Sequence, residues 1–314
     1  MTGVLPFVVR RLLAAIPVLI LVTAGTFWLC RYAPGDPVTV RTGGRASPEA
    51  VARVKHQLHL DEPIIVQYVR YMGDLLHGDL GVSQHHEGVP VADIIFPKLK
   101  ISAEEDLSPL LLVFILGVPL GIYLARRRGH WDDPTITAAM LTISAIPVFI
   151  SIPALQVLLA VKLKLVPTGG WHGLFSKTVI LPSIVLTYAG VVGIARLMRI
   201  SLLQVMGDDY VRTARAKGLS ERTVVYRHVL RNAMLPLITA VLYSLFGIAF
   251  GDFFTELLLG IPGIGAESFT SIGSRDYDEI MAITIIGAVV FILANLTLDI
   301  VYTFVDPRIT LETS

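Results

Sequence analysis

The chain has 314 residues, of which 54% are hydrophobic and 16% charged, with a mean hydropathy of +0.68. Ordinary soluble domains carry about a quarter charged residues, so this balance excludes that class and points to a membrane-embedded chain. A net charge of +1 identifies no partner, and Cys30, standing alone, excludes an internal disulfide or a thiolate metal cluster within one copy.

Crossing a hydrocarbon core takes about 20 mostly apolar residues. Six segments qualify: Leu12–Cys30, Leu107–Ala125, Thr135–Val161, Val179–Ala195, Leu235–Phe254 and Ile280–Phe304. The expected fold class is therefore an all-α integral membrane protein with six transmembrane helices. The first segment follows Arg10-Arg11 as a signal peptide would, but it is long for one and no small-residue cleavage site follows. Trp28 and Leu29 stand where acylation at Cys30 would require small residues. A retained, uncleaved helix is expected.

Lys and Arg in short loops set orientation. Arg10-Arg11, Arg126-Arg127-Arg128, Arg308 and the basic stretch after the fourth span fall on one side, whereas Lys162, Lys164, Lys177 and Arg275 fall on the other. Both termini are thus expected in the cytoplasm. The organisation read from this is a first helix within 1–30, an extracytoplasmic segment over 31–106, and a five-helix core over 107–314.

In the external segment, Pro34–Pro37 reads as a turn, and Ser47 with Pro48 reads as the start of a helix with Val51, Val54 and Leu58 on one face. A second amphipathic helix is expected over "IIVQYVRYMGDLL", ending near Gly78. His85-His86 has no third ligand spaced to help it and reads as a solvated loop. Glu104, Glu105 and Asp106 are expected in the outer interface, Asp252 and Glu256 at the outer end of the fifth span, and Asp299 near the inner end of the sixth. Pro147 and Pro153, in "AIPVFISIP", are candidates for a kink in a helix lining a pathway, and Asn295 is the one strongly polar amide deep in a span.

The stretch from Asp209 to Pro236 carries Arg212, Arg215, Lys217, Arg222, Arg227 and Arg231 against only Asp209 and Glu221. Asp208 or Asp209 can cap a short helix, Gly218 can stop it, and Ser220 can cap a second helix with Val225, Val229 and Ala233 on one face. Tyr210, Ala214 and Gly218 share a four-residue spacing. Its tether between spans argues against nucleic acid. An anchor to anionic headgroups and a docking element for a cytoplasmic partner both remain open from the residues alone.

This stretch closely resembles the cytoplasmic "EAA" loop of binding-protein-dependent ABC importer permeases, in the form used by the dipeptide/oligopeptide/nickel branch. The positions of the general Glu-Ala-Ala are Arg212-Thr213-Ala214, followed by Gly218. "RYAPGDPV", "QLHLDEPIIVQYVRYMGDLLHGDLGVS", "IPVF", "ELLLGIPGIG" and "VDPRI" resemble further landmarks in order, whereas the acids of "ISAEEDLSPLL" depart from the pattern.

The resemblance implies a type I ABC importer permease fold in a bacterial or archaeal plasma membrane, importing short peptides by alternating access. Nickel chelates or glutathione-type solutes are the alternative cargoes. It implies a coupling element at about 200–234, centred on Asp209, Tyr210, Arg212, Thr213, Ala214, Arg215, Lys217, Gly218, Leu219, Ser220 and Glu221. Its implied partners are a second homologous permease, one or two P-loop ATPase subunits and an extracytoplasmic substrate-binding protein. No lysine follows a glycine anywhere, so the standard phosphate-cradling loop is absent. ATP and Mg are accordingly expected on the ATPase subunits, and no catalytic, cofactor-binding or metal residue is expected here. A secondary transporter would want ionisable groups at mid-membrane or an inverted repeat, and neither stands out. His228 reads as a surface or docking residue, and "GIPGIG" as an external re-entrant turn.

Overall fold

The computed structural model describes residues 4–32, 47–57, 60–86 and 88–305. The turn expected at Pro34–Pro37, the side chains of Val51, Val54 and Leu58, and the terminal Asp306–Ile309 with Arg308 lie outside what is described. Among the described residues every regular element is helical, apart from an isolated bridge between Val82 and Pro90.

Five helical stretches are long and apolar enough to cross a membrane: Pro6–Tyr32, Val91–Arg126, Lys177–Val205, Leu235–Leu259 and Tyr277–Tyr302. The expected third span is instead a broken pair, Asp132–Ser144 and Val148–Lys162, bent by 85°. The second begins at Val91, 16 residues before the expected Leu107, and runs unbroken through the three acids. At 1.5 Å per residue its 36 residues extend about 54 Å, well beyond a hydrocarbon core of about 30 Å. Hydropathy registers only the apolar half of such a helix.

The chain divides into two units, one made of 1–100 and 264–314, the other of 101–263. In the first, α1 (Val4–Tyr32) packs antiparallel to α12 (Tyr277–Val305). Arg11 pairs with Asp299 at 3.0 Å near one end, and Phe27 and Cys30 meet Tyr277 and Met281 near the other. Asn295 lines a cavity of about 210 Å³ beside that ion pair and donates to the Phe291 carbonyl of its own helix at 2.8 Å. The external helices α2 (Pro48–Gln57) and α3 (Ile64–Leu76) begin and end as their caps and periodicity dictate, α3 stopping before Gly78, whose φ is +84°. The expectation for His85-His86 is corrected. Both backbone N–H groups are hydrogen-bonded within the unit, and the half-buried His86 ring lies 2.9 Å from Glu267 on α11 (Ile264–Ser274).

In the second unit, α4 (Val91–Arg126, from Ile101 on) crosses α7 (Ile180–Val205) through glycines. A Cβ on Gly121 would lie 2.5 Å from the Ala195 carbonyl and 2.6 Å from the Met198 Cβ, and one on Gly190 would lie 2.5 Å from Val113. Gly117 and Gly121 form a small-xxx-small pair, the device that lets membrane helices approach closely without a hydrophobic drive between them. Glu105 is corrected as well. It is fully buried in α4 rather than at an interface, because a helix that starts at Val91 turns this position inward. Glu256, on α10 (Phe253–Leu259), is also fully buried and accepts from Ser102 at 2.5 Å, while Asp252 caps α10 through the Thr255 N–H.

The break between α5 (Asp132–Ser144) and α6 (Val148–Leu155) falls at Ala145–Pro147. A bend in hydrocarbon must satisfy the carbonyls it frees. Here Tyr188 of α7 reaches the Ile146 carbonyl at 3.5 Å and also hydrogen-bonds Ser151, whose hydroxyl donates to the Pro147 carbonyl at 3.0 Å. Pro153 lies inside α6 without breaking it.

The close crossing is testable. Gly121→Ala should lower stability by about 1–3 kcal/mol, as overpacking does, when thermal unfolding is followed in detergent. Gly25→Ala in α1, where an added Cβ meets nothing within 4 Å, should be neutral or slightly stabilising.

Candidate functional site

The basic stretch folds as two helical pieces around one turn. Helix α8 (Asp209–Ala216) follows Asp208, which occupies the cap position with extended backbone but makes no side-chain cap bond. The dipole of the first turn is met instead by Asp209. Lys217 closes the helix and Gly218, at φ +77°, makes the left-handed turn that follows. Nothing lies within 4 Å of a Cβ placed there, so the requirement for glycine is conformational, not steric. Ser220 then caps the next piece, its Oγ accepting from the Thr223 N–H. That piece is α-helical over Glu221–Thr223, a π-turn over Val224–Val229, and α-helical again over Leu230–Ala233.

One face of both pieces is buried. Val211, Val224, Val229 and Ala233 are fully inaccessible and Ala214 nearly so. They pack with Met198 and Leu202 of α7, Ala125 of α4, and Leu237 of α9 (Leu235–Gly247). Burying a valine is worth about 1.5–3 kcal/mol, so this seat holds a highly charged segment firmly on the ends of the spans. Ser201 Oγ donates to the Ala233 carbonyl at 2.8 Å and closes the junction.

The opposite face is a polar surface. Asp209, Tyr210, Arg212, Thr213, Arg215, Lys217, Gly218, Leu219, Ser220 and Glu221 are all exposed. Tyr210 ties the two pieces together, accepting from Asn232 Nδ2 at 2.7 Å and donating to the His228 carbonyl at 3.5 Å. Arg215 spans the Gly218 turn with two bonds to Glu221, at 3.1 and 2.8 Å. That hydrogen bonding holds the Glu221 carboxyl below the usual carboxylate range and raises the guanidinium further. A depressed carboxylate contributes above its unfolded pKa and loses that contribution as pH falls through the folded value. The pair is therefore intact at neutral pH, although its exposure limits it to about 0–1 kcal/mol. The Arg212–Asp209 contact, at 3.5 Å between strongly exposed groups, adds little.

Beside this surface lies a polar cleft of about 660 Å³ lined by Tyr123, Arg126, Arg127, His130 and Tyr226 among others. Its wall is fixed by two acids that sequence reasoning did not single out. Asp132 accepts from Tyr123 at 2.7 Å, and Asp133 takes a bidentate pair from Arg199 at 2.9 and 2.7 Å. "DDP" after the Arg126–Arg128 run was the available signal, but nothing in it points to Arg199. The residues of the candidate coupling element and Pro147 and Pro153 fall in this unit, and Asn295 falls in the other.

Packing and surface roles separate by mutation. Val211→Asp buries an unpaired charge and should cost at least about 3 kcal/mol, visible as a large fall in thermal stability in detergent. Arg212→Ala should stay within about 0.5 kcal/mol of the parent.

Comparison with known proteins agrees over nearly the whole chain. Residues 117–311 match the family described as binding-protein-dependent transport system inner membrane component, and residues 4–99 match the N-terminal membrane component of the same systems. The chain is 36% identical over 306 residues to the oligopeptide transport system permease protein OppB of Salmonella typhimurium, covering 97% of this chain and 99% of that one. It is 35% identical to the oligopeptide permease AppB of Bacillus subtilis, covering 96% and 98%. It is also 35% identical to the dipeptide permease DppB of Alkalihalophilus pseudofirmus, covering 97% and 99%. Among solved structures, an inward-facing MetNI methionine ABC transporter superposes with a TM-score of 0.54 at 18% identity, over 68% of this chain and 96% of that one. That likeness concerns the fold, which is that of an ABC importer permease.

Proposed function

The chain belongs to the family of binding-protein-dependent transport system inner membrane components, and we propose that it is the permease subunit through which an ATP-driven importer passes short peptides across the inner membrane. Its multi-pass build suits that place, and the curated relatives that match it end to end carry oligopeptide and dipeptide transport in their names. Its partners are a second, similar permease, cytoplasmic P-loop ATPase subunits and an extracytoplasmic substrate-binding protein. ATP and Mg are bound by the ATPases, since this chain lacks a phosphate-cradling loop of its own. Both termini and the basic stretch lie on the cytoplasmic side.

The observation that carries the coupling role is the two-faced build of Asp209–Ala233. Val211, Ala214, Val224 and Val229 fasten it to the spans, while Arg212, Thr213, Arg215, Lys217 and Leu219 stand free of the core for a partner. Closure of the ATPases moves the exposed face, and the packed face passes that displacement to α4 and α7 through Ala125, Met198 and Leu202. A membrane anchor needs charge alone. It has no use for a left-handed glycine turn bridged by Arg215–Glu221. ATP acts by favouring one of two packings of the spans, and only that difference in affinity does work on the cargo.

Mild-detergent purification of the chain from its native membrane should recover a second permease and P-loop ATPases, identified by mass spectrometry. Recovery of this chain alone under gentle extraction would instead support a transporter that works without ATP. Gly218→Asp forces a side chain into left-handed backbone at about 1–2 kcal/mol. It should insert normally yet lose most of the ATPase, and full ATPase retention would remove the coupling role.

A further inference from the structure

We propose that His86, Glu267 and Glu279 form a site for one divalent transition-metal ion of the zinc type, which fastens the loop at 83–86 to helices α11 and α12. Among the described residues, one ligand atom from each of the three lies within 4.8 Å of the others. All three belong to the unit made of 1–100 and 264–314.

The loop is delivered by a buried aspartate. Asp276, fully inaccessible, accepts from Ser83 Oγ at 2.6 Å and from the N–H groups of Gln84 and His85 at 2.8 and 2.9 Å. Ser83 Oγ in turn accepts from the His86 N–H at 2.8 Å. This places His86 Nε2 at 2.9 Å from Glu267 Oε1 and 4.0 Å from Glu279 Oε1. The second oxygen of each carboxylate is already occupied. Lys98 holds Glu267 Oε2 at 2.9 Å, and Ser271 holds Glu279 Oε2 at 2.6 Å. Each glutamate is thus oriented by an outer donor with its free oxygen turned to the imidazole, the usual arrangement around a protein-bound metal.

Two observations ask for an ion there. Glu279 is fully buried, and its Oε1 has no hydrogen-bond partner. The three carboxylates of Glu267, Asp276 and Glu279, all at most 5% exposed, face one ammonium from Lys98. That leaves two negative charges, which a divalent ion matches and a single imidazolium does not. Zinc ligands of N and O type stand about 2.0–2.2 Å from the metal, hence about 3.4 Å from one another. The observed 2.9 and 4.0 Å bracket that spacing, so small side-chain shifts suffice. One imidazole nitrogen with two carboxylates suits a first-row transition ion better than the all-oxygen sets of calcium and magnesium. The His86 side chain is 38% exposed, which gives the ion a route in and leaves the fourth position to water.

The full chain, purified in detergent and stripped with a chelator, is titrated with zinc against a chromophoric competitor, and bound metal is counted by mass spectrometry. One tight equivalent per chain is expected. Glu279→Gln and His86→Ala should each weaken it at least tenfold. Ser271→Ala, which leaves every ligand in place, should weaken it about 10–100-fold through the outer bond alone. Gel filtration of each variant separates lost binding from lost folding, and Glu279→Gln keeps the shape of the site should His86→Ala fail to fold. Absence of a tight equivalent in the parent, or one of unchanged affinity in both ligand variants, would overturn the site. Neither readout depends on transport.

Discussion

The cytoplasmic end of the second unit depends on one packing constraint: a stretch rich in arginine must present its charges while lying flat on apolar helix ends. Small side chains make that possible. Val211, Ala214, Val224, Val229 and Ala233 let the backbone settle closely on Met198, Leu202 and Leu237, so the guanidinium groups project outward without crossing the core. Larger residues would lift the segment and loosen its attachment. The same logic acts deeper in the unit, where Gly117, Gly121 and Gly190 bring α4 and α7 into backbone contact. Stiffness at the loop and stiffness at the crossing share one pair of helices.

The broken third span shows how such a unit accommodates irregular backbone. Proline alone explains why α5 ends, since Pro147 cannot donate and biases Ile146 away from helix. It does not explain why the bend is tolerated. Tyr188 and Ser151 do, by returning hydrogen bonds to the Ile146 and Pro147 carbonyls. The bend is therefore held by a neighbouring helix and is not a free joint.

Much of this architecture was legible in the sequence. Six apolar segments appear in order, α3 spans the residues its periodicity marks, and Gly218 sits in the left-handed turn that a helix stop requires. What could not be read falls into two physical classes. Helix that runs beyond the hydrocarbon leaves no hydropathy signal, so α4 began 16 residues early and carried Glu105 into the interior. Side-chain pairs distant in sequence leave no periodicity. Arg199 meets Asp133 across 66 positions, and His86 meets Glu267 across 181. A histidine pair judged on its neighbours alone is judged on the wrong neighbours.

The π-turn at Val224–Val229 has a consequence for what the loop can tolerate. A π-turn holds one residue more than the α-helix would, and here it lets Val224 and Val229, five apart, share the buried face. Removing a single residue anywhere within it would restore α geometry and rotate everything downstream by about 100°. Arg231 and Asn232 would swing off the surface shared with Tyr210, and Ala233 would leave its seat. The segment is thus forgiving in composition and strict in length, so its relatives can exchange side chains there far more freely than they can gain or lose a position.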